Sequence, residues 1–498
     1  MYKLDKLDGS KYYRGEVIQA HRRGIIHIHG LSQGLTCRDV GWSIETLKTL
    51  RGESPATLVD GILRRLEATE KEWKGLQTIY DIEEVLSRFF DEGQDEKGLS
   101  RVTRKIVHEI DRRGLKAGLV LTLGDKSSSS KKDLIQKTFN SVLRDILPSY
   151  PIPLYPIKEG FSWDNNEIEE AFKMAADHGF PYFLNRTDNE MADDLCPDPR
   201  VLYQSCQGPG AYRDGFGCIG KISLNLPLLA FQAGDEEGFL NRVGEVLELS
   251  GGALECKRAL LEERLDRGDM PQTSKFLGSL DWQFSTIGIV GMNEALITLI
   301  EGTIASPSGK AITYKILELI RERLIELQID NGHPYNLEAS DERIGGIFAL
   351  KDREKGFEIP SAGGDMPFYT HSTRLPVGYS DDLWEVLEHQ YKFQRLYNGS
   401  AGFSIPLKEK IHSYEGCRLL AKGIVEHFGF PSFALSPTFS YCPVDGYLHG
   451  RREECPKCGG TPTIYAREGG RIQSLKEMEE IYREVYERRR PFVVVSRR

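Results

Sequence analysis

The chain has 498 residues and a formal net charge of −9, because 74 Asp and Glu residues outnumber 65 Lys and Arg residues. This acidic balance argues against a dedicated nucleic-acid-binding protein, which usually carries a basic face or arm. Nine scattered cysteines, no basic-then-apolar leader pattern and no apolar stretch long enough for a membrane span predict a cytoplasmic protein.

Strand-like and helix-like patterns alternate along the chain. Three short apolar runs, punctuated by glycine or proline, predict buried strands: 117–124, 220–229 and 284–291. Residues 313–330 and 381–397 carry apolar side chains at helical spacing, and the second segment opens on two aspartates that suit a helix N-terminus. This alternation predicts an α/β architecture. A cysteine-rich and turn-rich composition begins near residue 436, so we expect one large domain over 1–435 and a small module over 436–498.

The small module contains the clearest motif, CPVDGYLHGRREECPKCGG. Cys455 and Cys458 have the Cys-x-x-Cys spacing that lets two thiolates converge on one ion, and Cys442 lies thirteen residues upstream. Three thiolates leave the last position of a tetrahedral site to Asp445, His449 or a water. We therefore expect a structural zinc site, with three thiols that bind no metal as the alternative.

Two cysteines of the large domain lie in glycine-rich loops. Cys206 sits in YQSCQGPG, where a thiol is placed to be reached rather than packed, although a cysteine that merely tolerates a turn is the simpler alternative. Cys37 follows the strand-like IIHIH, in which His27 and His29 alternate on one face. Such histidines are more often core or supporting side chains than metal ligands.

A polar loop, YTHSTRLPVGYSDD, spans 369–382 and leads into a predicted helix. Ser372 and Thr373 are able to donate hydrogen bonds to phosphate oxygens, because the following proline and glycine hold the backbone open. An ordinary hydroxyl-capped loop explains the same residues equally well. The local sequence leaves both interpretations open.

A glycine pair, Gly469 and Gly470, follows Arg467 and Glu468 near the C-terminus. Adjacent glycines usually mark a turn that needs positive φ. A second use is chemical, because the glycine α-hydrogen is accessible and its loss leaves a planar radical between an amide nitrogen and a carbonyl. The pair alone does not select between these uses.

Taken together, these stretches resemble the anaerobic, class III ribonucleotide reductases, which belong to the glycyl radical enzymes. The resemblance covers most of the chain and is carried, in the family's order, by PDPRVLYQSC, SLNLPLLAFQAGDEEGFL, FSTIGIVGMNEAL, YNLEAS, YTHSTRLPVGYSDDLWEVL, SPTFSYCPVDGYL and CPKCGG. It implies a ten-stranded α/β barrel with a central finger loop, followed by a small C-terminal module with a zinc ribbon and the glycyl radical loop.

The resemblance also implies roles for individual residues. Cys206 would lie on the finger loop and become the thiyl radical, and Cys37 would be the second active-site cysteine on the opposite wall. Asn225, in SLNLP, matches an asparagine that faces the substrate. Ser372 and Thr373 fall in the family's Ser-Thr-x-Leu-Pro loop, which favours the phosphate interpretation.

Near the C-terminus, Arg467-x-x-Gly470 matches the family's Arg-Val-x-Gly, so Gly470 is the expected radical position and Gly469 the second choice. Glu468 and Arg471 depart from the family pattern, which has an apolar residue and a tyrosine at these positions. The expected zinc ligands are Cys442, Asp445, Cys455 and Cys458.

The activity implied by the resemblance is anaerobic reduction of ribonucleoside triphosphates to 2′-deoxyribonucleoside triphosphates. It would need a separate radical S-adenosylmethionine activating protein with a 4Fe-4S cluster, and either formate or a thiol system as reductant. A homodimer is expected, and barrel-like sequence within the first thirty residues predicts that the family's N-terminal ATP-cone is missing. Two alternatives stay open: a divergent glycyl radical enzyme with another substrate, and a non-catalytic zinc-ribbon paralogue that binds or regulates a reductase.

Overall fold

The main body of the protein is a mixed sheet of eleven strands. The computed structural model describes residues 8–47, 54–90, 96–122, 130–164, 168–187, 214–340, 342–407 and 414–492. The strands of the main sheet are β1 Ile26–Ile28, β2 Val40–Ser43, β3 Gln77–Tyr80, β4 Ala117–Val120, β5 Ile152–Lys158, β6 Tyr182–Arg186, β7 Gly217–Asn225, β8 Gln283–Val290, β9 Tyr335–Ala339, β10 Phe403–Leu407 and β11 Ser432–Pro437.

Helices connect most of these strands. They are α1 Gly15–Arg23, α2 Pro55–Thr69, α3 Ile82–Ser87, α4 Glu96–Arg112, α5 Ser130–Ile146, α6 Glu169–His178, α7 Leu226–Ala233, α8 Glu236–Asp266, α9 Pro271–Phe276, α10 Met292–Ile300, α11 Pro307–Asn331, α12 Glu342–Glu354, α13 Leu383–Gln394 and α14 Tyr414–Gly423. Among the described residues, none of the helices combines the length and the apolar character that crossing a membrane requires.

Ten strands follow one another around the sheet in the order β10-β11-β6-β5-β4-β3-β2-β7-β8-β9, and β1 pairs with β7 outside this path. Strands β2 to β6 are parallel to one another, and so are β7 to β9. The two groups run in opposite directions, because β2 pairs with β7 in the antiparallel sense. The N-terminal ends of β2 to β6 therefore lie at the same end of the sheet as the C-terminal ends of β7 to β9.

Backbone hydrogen bonds bring the two ends of this strand path together. The Gly399 amide donates to the Leu337 carbonyl at 3.0 Å, and the Ala339 amide donates to Ser400 at 2.8 Å, shortly before β10 begins. These bonds close the sheet into the ten-stranded α/β barrel that the resemblance implied. The predicted finger loop falls almost entirely within 188–213, outside the described residues.

Local sequence explains several of these elements. β8 is buried at every position, as expected for a parallel strand covered on both faces. α11 buries one stripe of side chains, and α13 begins where the Asp382 carboxylate accepts hydrogen bonds from the Trp384 and Glu385 amides. The helices predicted over 313–330 and 381–397 are confirmed, although the second is shorter than its pattern.

One predicted strand is partly wrong. The run at 220–229 continues as a strand only to Asn225, and α7 begins at the next residue. The Asn225 side chain caps this helix, and Pro227 lies in its first turn, where a missing amide hydrogen costs no hydrogen bond. Apolar character does not separate the two states here, because the strand end and the helix start are both buried.

A second, antiparallel sheet follows the barrel, with four strands in the order β13-β12-β14-β15. They are β12 Phe439–Cys442, β13 Gly446–His449, β14 Thr463–Glu468 and β15 Arg471–Ser474. The last helix, α15 (Glu480–Arg488), packs against α12. Beyond it, the Phe492 amide donates to the Pro406 carbonyl in β10 at 2.8 Å, which ties this part of the chain to the barrel.

Candidate active site

A cavity of about 560 Å³ lies at one end of the barrel, where strand starts of the first group meet strand ends of the second. Asp39, Leu76 and Lys116 directly precede β2, β3 and β4 and line the cavity. Ala339, the last residue of β9, lines it from the other side. Strand ends of α/β folds are a common place for ligands, because loops from several strands converge there.

The cavity carries an excess of positive charge. Nine Lys or Arg residues line it: Arg38, Lys74, Lys116, Lys221, Arg343, Arg374, Arg471, Arg489 and Arg490. Five residues with carboxylate side chains line it too: Asp39, Glu338, Glu342, Glu468 and Glu479. In a chain whose net charge is −9, this local excess favours an anionic ligand.

The glycine pair forms the tip of the β14–β15 hairpin and lines the cavity. Glu468 and Arg471 are the last cross-strand pair, so Gly469 and Gly470 alone make the turn. Their φ angles are +55° and +82°, a backbone that disfavours side chains at both positions and suits a two-residue hairpin turn. A Cβ atom on Gly469 would also lie 2.8 Å from Cζ of Tyr482.

Two arginines fix this hairpin against its surroundings. Arg467 is almost fully buried and donates hydrogen bonds to the backbone oxygens of Gly470, at 3.2 Å, and Gly179. The Glu468 carboxylate forms a largely buried ion pair with Arg489, which follows α15. Removing either partner would leave the other charge buried and unpaired, which is costly. The hairpin and the chain end are thus linked directly.

Three cysteines and an aspartate form a compact group ahead of β14. All four donor atoms lie within 4.8 Å of one another, and the residues are Cys442, Asp445, Cys455 and Cys458. Of the alternatives for the fourth donor, Asp445 is in the group and His449 is not. Three thiolates and one carboxylate suit Zn²⁺, which takes four such donors in structural sites. The group is therefore able to hold a metal ion, and zinc fits its chemistry.

The metal-binding group and the glycine turn lie at opposite ends of β14. Tyr441, next to Cys442, pairs with Thr463 at the start of the strand, whereas Glu468 at its end adjoins the turn. A strand of six residues spans about 20 Å. A metal ion held at one end would therefore fix the strand that carries the glycine turn at the other.

The predicted active-site cysteines are not seen together. Cys206 lies outside the described residues. Cys37 is fully buried and is not among the described residues that line the cavity. Its amide donates to the Glu72 carbonyl at 2.8 Å, and burial raises the pKa of its thiol to about 12. The Cys37 thiol is protonated at neutral pH in this environment, and its role as a second active-site cysteine stays a prediction.

Asn225 is also fully buried and engaged within the protein. Its amide group donates to the Gly24 carbonyl at 2.9 Å and to the Asp352 carboxylate at 2.8 Å. Its oxygen accepts a hydrogen bond from the Leu228 amide at 3.3 Å. These bonds cap α7 and join it to α12, and Asn225 is not among the described residues lining the cavity. Its contact with a substrate stays a prediction.

The predicted phosphate loop borders the cavity, but its two candidate hydroxyls are turned inward. Those of Ser372 and Thr373 lie 2.6 Å and 3.1 Å from the Tyr397 hydroxyl, and both residues are buried. Other residues of the loop line the cavity, namely Thr370, His371, Arg374 and residues 375–380. The loop is thus in place for an anionic ligand, while phosphate binding by the two hydroxyls stays a prediction.

Sequence reasoning missed a polar row on β7 and β9 that reaches the cavity. The Lys221 ammonium pairs with the Glu338 carboxylate at 3.0 Å, and both residues line the cavity. Ser223 lies further along β7, and its hydroxyl is 2.7 Å from Nε2 of His29. Burial lowers the pKa of His29 well below its usual value, so this imidazole is neutral. The available signal was the alternation of Lys221, Ser223 and Asn225 with apolar residues in the predicted strand.

A family model described as anaerobic ribonucleoside-triphosphate reductase matches residues 4–491. Among solved structures, an anaerobic ribonucleotide reductase superposes with a TM-score of 0.80 at 17% sequence identity, covering 96% of this chain and 85% of that one. The anaerobic ribonucleotide reductase of Thermotoga maritima in complex with dATP and CTP gives a TM-score of 0.77 at 17% identity, covering 94% and 86%.

A more distant structural relative is the B12-independent glycerol dehydratase of Clostridium butyricum, with a TM-score of 0.61, 11% identity and coverage of 98% and 83%. Comparison with curated proteins gives no match. At these identities the solved structures establish a shared fold, whereas the family match extends over nearly the whole chain.

Proposed function

Because the chain belongs to the anaerobic ribonucleoside-triphosphate reductase family, we propose that it forms 2′-deoxyribonucleoside triphosphates by a glycyl radical and thiyl radical mechanism. Membership of this family makes the protein an oxidoreductase. One observation supports the mechanism most directly: Gly470 lies at a hairpin tip that lines a cationic cavity at the barrel end. The walls that receive an anionic nucleotide would also shelter a radical on the Gly470 α-carbon from solvent.

The proposed chemistry is a relay of hydrogen atoms. A separate activating protein removes a hydrogen atom from Gly470, and the glycyl radical then takes the thiol hydrogen of Cys206. The thiyl radical abstracts the 3′-hydrogen of the ribose, which allows the 2′-hydroxyl to leave as water. Two electrons and the accompanying protons come from formate or a thiol system, and Cys206 returns a hydrogen atom to the 3′-carbon.

Charge and loop position support a nucleoside triphosphate as the ligand. The loop over 369–380 brings His371 and Arg374 to the wall of a cavity in which cationic residues outnumber acidic ones. The Thermotoga maritima reductase is described in complex with dATP and CTP, and we extend nucleotide binding to this cavity. Ser372 and Thr373 would contribute after their hydroxyls turn away from the tyrosine that now contacts them.

The cofactor and partners follow from the same mechanism. We assign a structural zinc ion to the three cysteines and Asp445, since their donor atoms converge and match its preferred chemistry. The activating protein would be a radical S-adenosylmethionine enzyme with a 4Fe-4S cluster, acting on Gly470 when the hairpin is accessible. In this mechanism Cys37 would be the second active-site cysteine, and Asn225 would face the substrate. A homodimer is the proposed working form.

Anaerobic activation of the full chain tests this function. With an activating protein that works on a related reductase, we expect an organic-radical doublet in the electron paramagnetic resonance spectrum and conversion of CTP to dCTP. Both signals should vanish in Gly470→Ala. They should persist in Gly252→Ala, a control at a helical glycine with open space around it. Absence of the doublet in the unmodified chain would contradict the proposal.

A further inference from the structure

Two guanidinium groups that line the cavity have no acidic partner among the described residues. Nε of Arg38 is buried and makes no hydrogen bond with the described part of the chain. Arg471 is half-buried and forms no ion pair with any described carboxylate, because its cross-strand partner Glu468 pairs with Arg489 instead. Partly buried cationic groups that no described carboxylate pairs with favour an external anion beside them.

These two arginines belong to one continuous surface of the cavity. The Gly75 amide donates to the Arg38 carbonyl at 2.7 Å, and the Gln77 amide donates to the Lys116 carbonyl at 2.8 Å. The starts of β2, β3 and β4 therefore stand side by side, with Tyr150 just ahead of β5. We call this surface the basic wall; it consists of Arg38, Lys116, Tyr150 and Arg471.

Arg471 completes the basic wall from the opposite side. Its guanidinium lies over the Tyr150 ring, with 5.6 Å between the guanidinium carbon and the ring centroid. Arg471 directly follows Gly470 and starts β15, so the hairpin itself carries this cation into the cavity. The other three residues of the wall belong to the barrel. The wall is complete only while the hairpin is docked.

Nearby groups leave the positive charge of the wall largely unbalanced. Asp39 is the acidic residue beside Arg38, and it accepts a hydrogen bond from the Leu76 amide at 2.6 Å. Burial raises the pKa of its carboxyl group and the charge of Arg38 lowers it, with burial the larger effect, so Asp39 offsets only part of the charge of three cations. The pKa of Lys116 is lowered, first by burial and then by the charge of Arg38. An anion between these cations would relieve their mutual repulsion.

We propose that Arg38, Lys116 and Arg471 form an oxyanion subsite, and that an anion bound there holds the glycine hairpin in its docked position. That the hairpin must leave its docked position rests on the proposed function, but binding of the anion requires no radical. A nucleotide phosphate and a small carboxylate such as formate share the chemistry that paired guanidinium donors recognise. Because Arg471 leaves with the hairpin, anion binding and docking are thermodynamically linked.

Hydrogen exchange of the full chain measures this linkage. We expect tripolyphosphate or sodium formate, at about ten times its dissociation constant, to slow exchange of the β14 and β15 amides by about tenfold. Arg471→Gln should abolish this slowing. Arg38→Gln, which leaves the hairpin sequence intact, should weaken it, so a folding defect of the hairpin variant does not decide the result.

Arg267→Gln is the matched control, because Arg267 is exposed at the end of α8 and pairs there with Glu263 at 2.5 Å. It should keep the full anion effect. Equal slowing in Arg471→Gln and in the unmodified chain would overturn the proposal, and so would a lack of slowing by both anions in the unmodified chain. Raising the ionic strength with sodium chloride separates site binding from general screening.

Two further comparisons identify the anion and isolate the proposal from the proposed function. Slowing by tripolyphosphate that formate does not reproduce assigns a phosphate group, whereas slowing by formate that tripolyphosphate does not reproduce assigns a small carboxylate. The radical doublet is recorded separately on the same preparations. Anion-dependent docking without a doublet would retain the subsite and reject the radical mechanism, and a doublet without anion-dependent docking would do the reverse.

Discussion

Gly469 and Gly470 are adjacent, yet the structure restricts them in different ways. A side chain on Gly469 would meet the Tyr482 ring, in addition to the strain of positive φ. Gly470 has the larger positive φ, and its carbonyl accepts a hydrogen bond from Arg467. A tight turn and an accessible α-hydrogen are therefore compatible uses of the same two residues. The turn geometry is what presents the Gly470 α-carbon to the cavity.

Gly469→Ala should loosen the hairpin without affecting the barrel. The left-handed backbone alone costs an alanine about 1–2 kcal/mol, which corresponds to a fivefold to thirtyfold increase in local opening. We expect hydrogen exchange of the β14 and β15 amides to accelerate by about that factor. Gly252→Ala, within α8 and without positive φ, should leave hairpin exchange unchanged. Unchanged hairpin exchange in Gly469→Ala would show that the turn is not strained as described.

At the residue scale, the sequence predicted which side chains group locally but not which way they point. Cys455 and Cys458 converge because their spacing and the turn between them set the geometry within four residues. Asn225 and Ser372 turn instead toward Asp352 and Tyr397, whose positions depend on the folded barrel. The orientation of such a side chain depends on partners that are distant in the sequence, and no local sequence pattern identifies those partners.

β14 is the strand that connects the metal-binding group to the glycine turn. It pairs with β12, which carries one of the metal-binding cysteines, and with β15, which returns from the turn. A bound ion would supply folding energy to a sheet too small to have a large core of its own. Its main effect on function would be to keep the glycine turn aligned with the cavity.

Metal removal should therefore destabilise β14. With a strong chelator, we expect loss of one zinc per chain and faster hydrogen exchange in β12 and β14, while β8 in the barrel stays protected. Cys458→Ser should reproduce the loss of zinc. Cys256→Ser is the matched control, at a cysteine outside the metal-binding group. A chain that contains no zinc as purified and takes up none would refute the assignment.

Elements were predictable to different degrees for physical reasons. α11 and α13 bury apolar side chains that recur at helical spacing, so their existence was predictable from the sequence pattern. The change from β7 to α7 depends on the Asn225 cap and on Pro227, inside a run that is apolar throughout. The ten-stranded barrel came from the family resemblance, and the order of its strands was not predicted, because pairing between distant strands leaves no local pattern in the sequence.

At the scale of the whole molecule, the chain end packs beside the proposed radical site. The hairpin lies between the barrel and α15, with the Glu468–Arg489 ion pair joining hairpin to chain end. The hydrogen bond from Phe492 to Pro406 then fastens that end to β10. Opening the site to an activating protein would require these contacts to break together. The contacts that hold the chain end beside the hairpin are thus the ones that activation would have to break.

Exposure of the activated protein to oxygen tests this arrangement. A glycyl radical at Gly470 should react with oxygen and break the main chain there, separating residues 471–498 from the rest. Because α15 packs on α12 and Phe492 is bonded to β10, we expect the short piece to stay bound in native size-exclusion chromatography. Denaturing mass spectrometry should reveal two pieces, and Gly470→Ala should stay intact. Cleavage at another position would assign the radical to a different residue. Release of the short piece under native conditions would show that the chain end is not anchored as described.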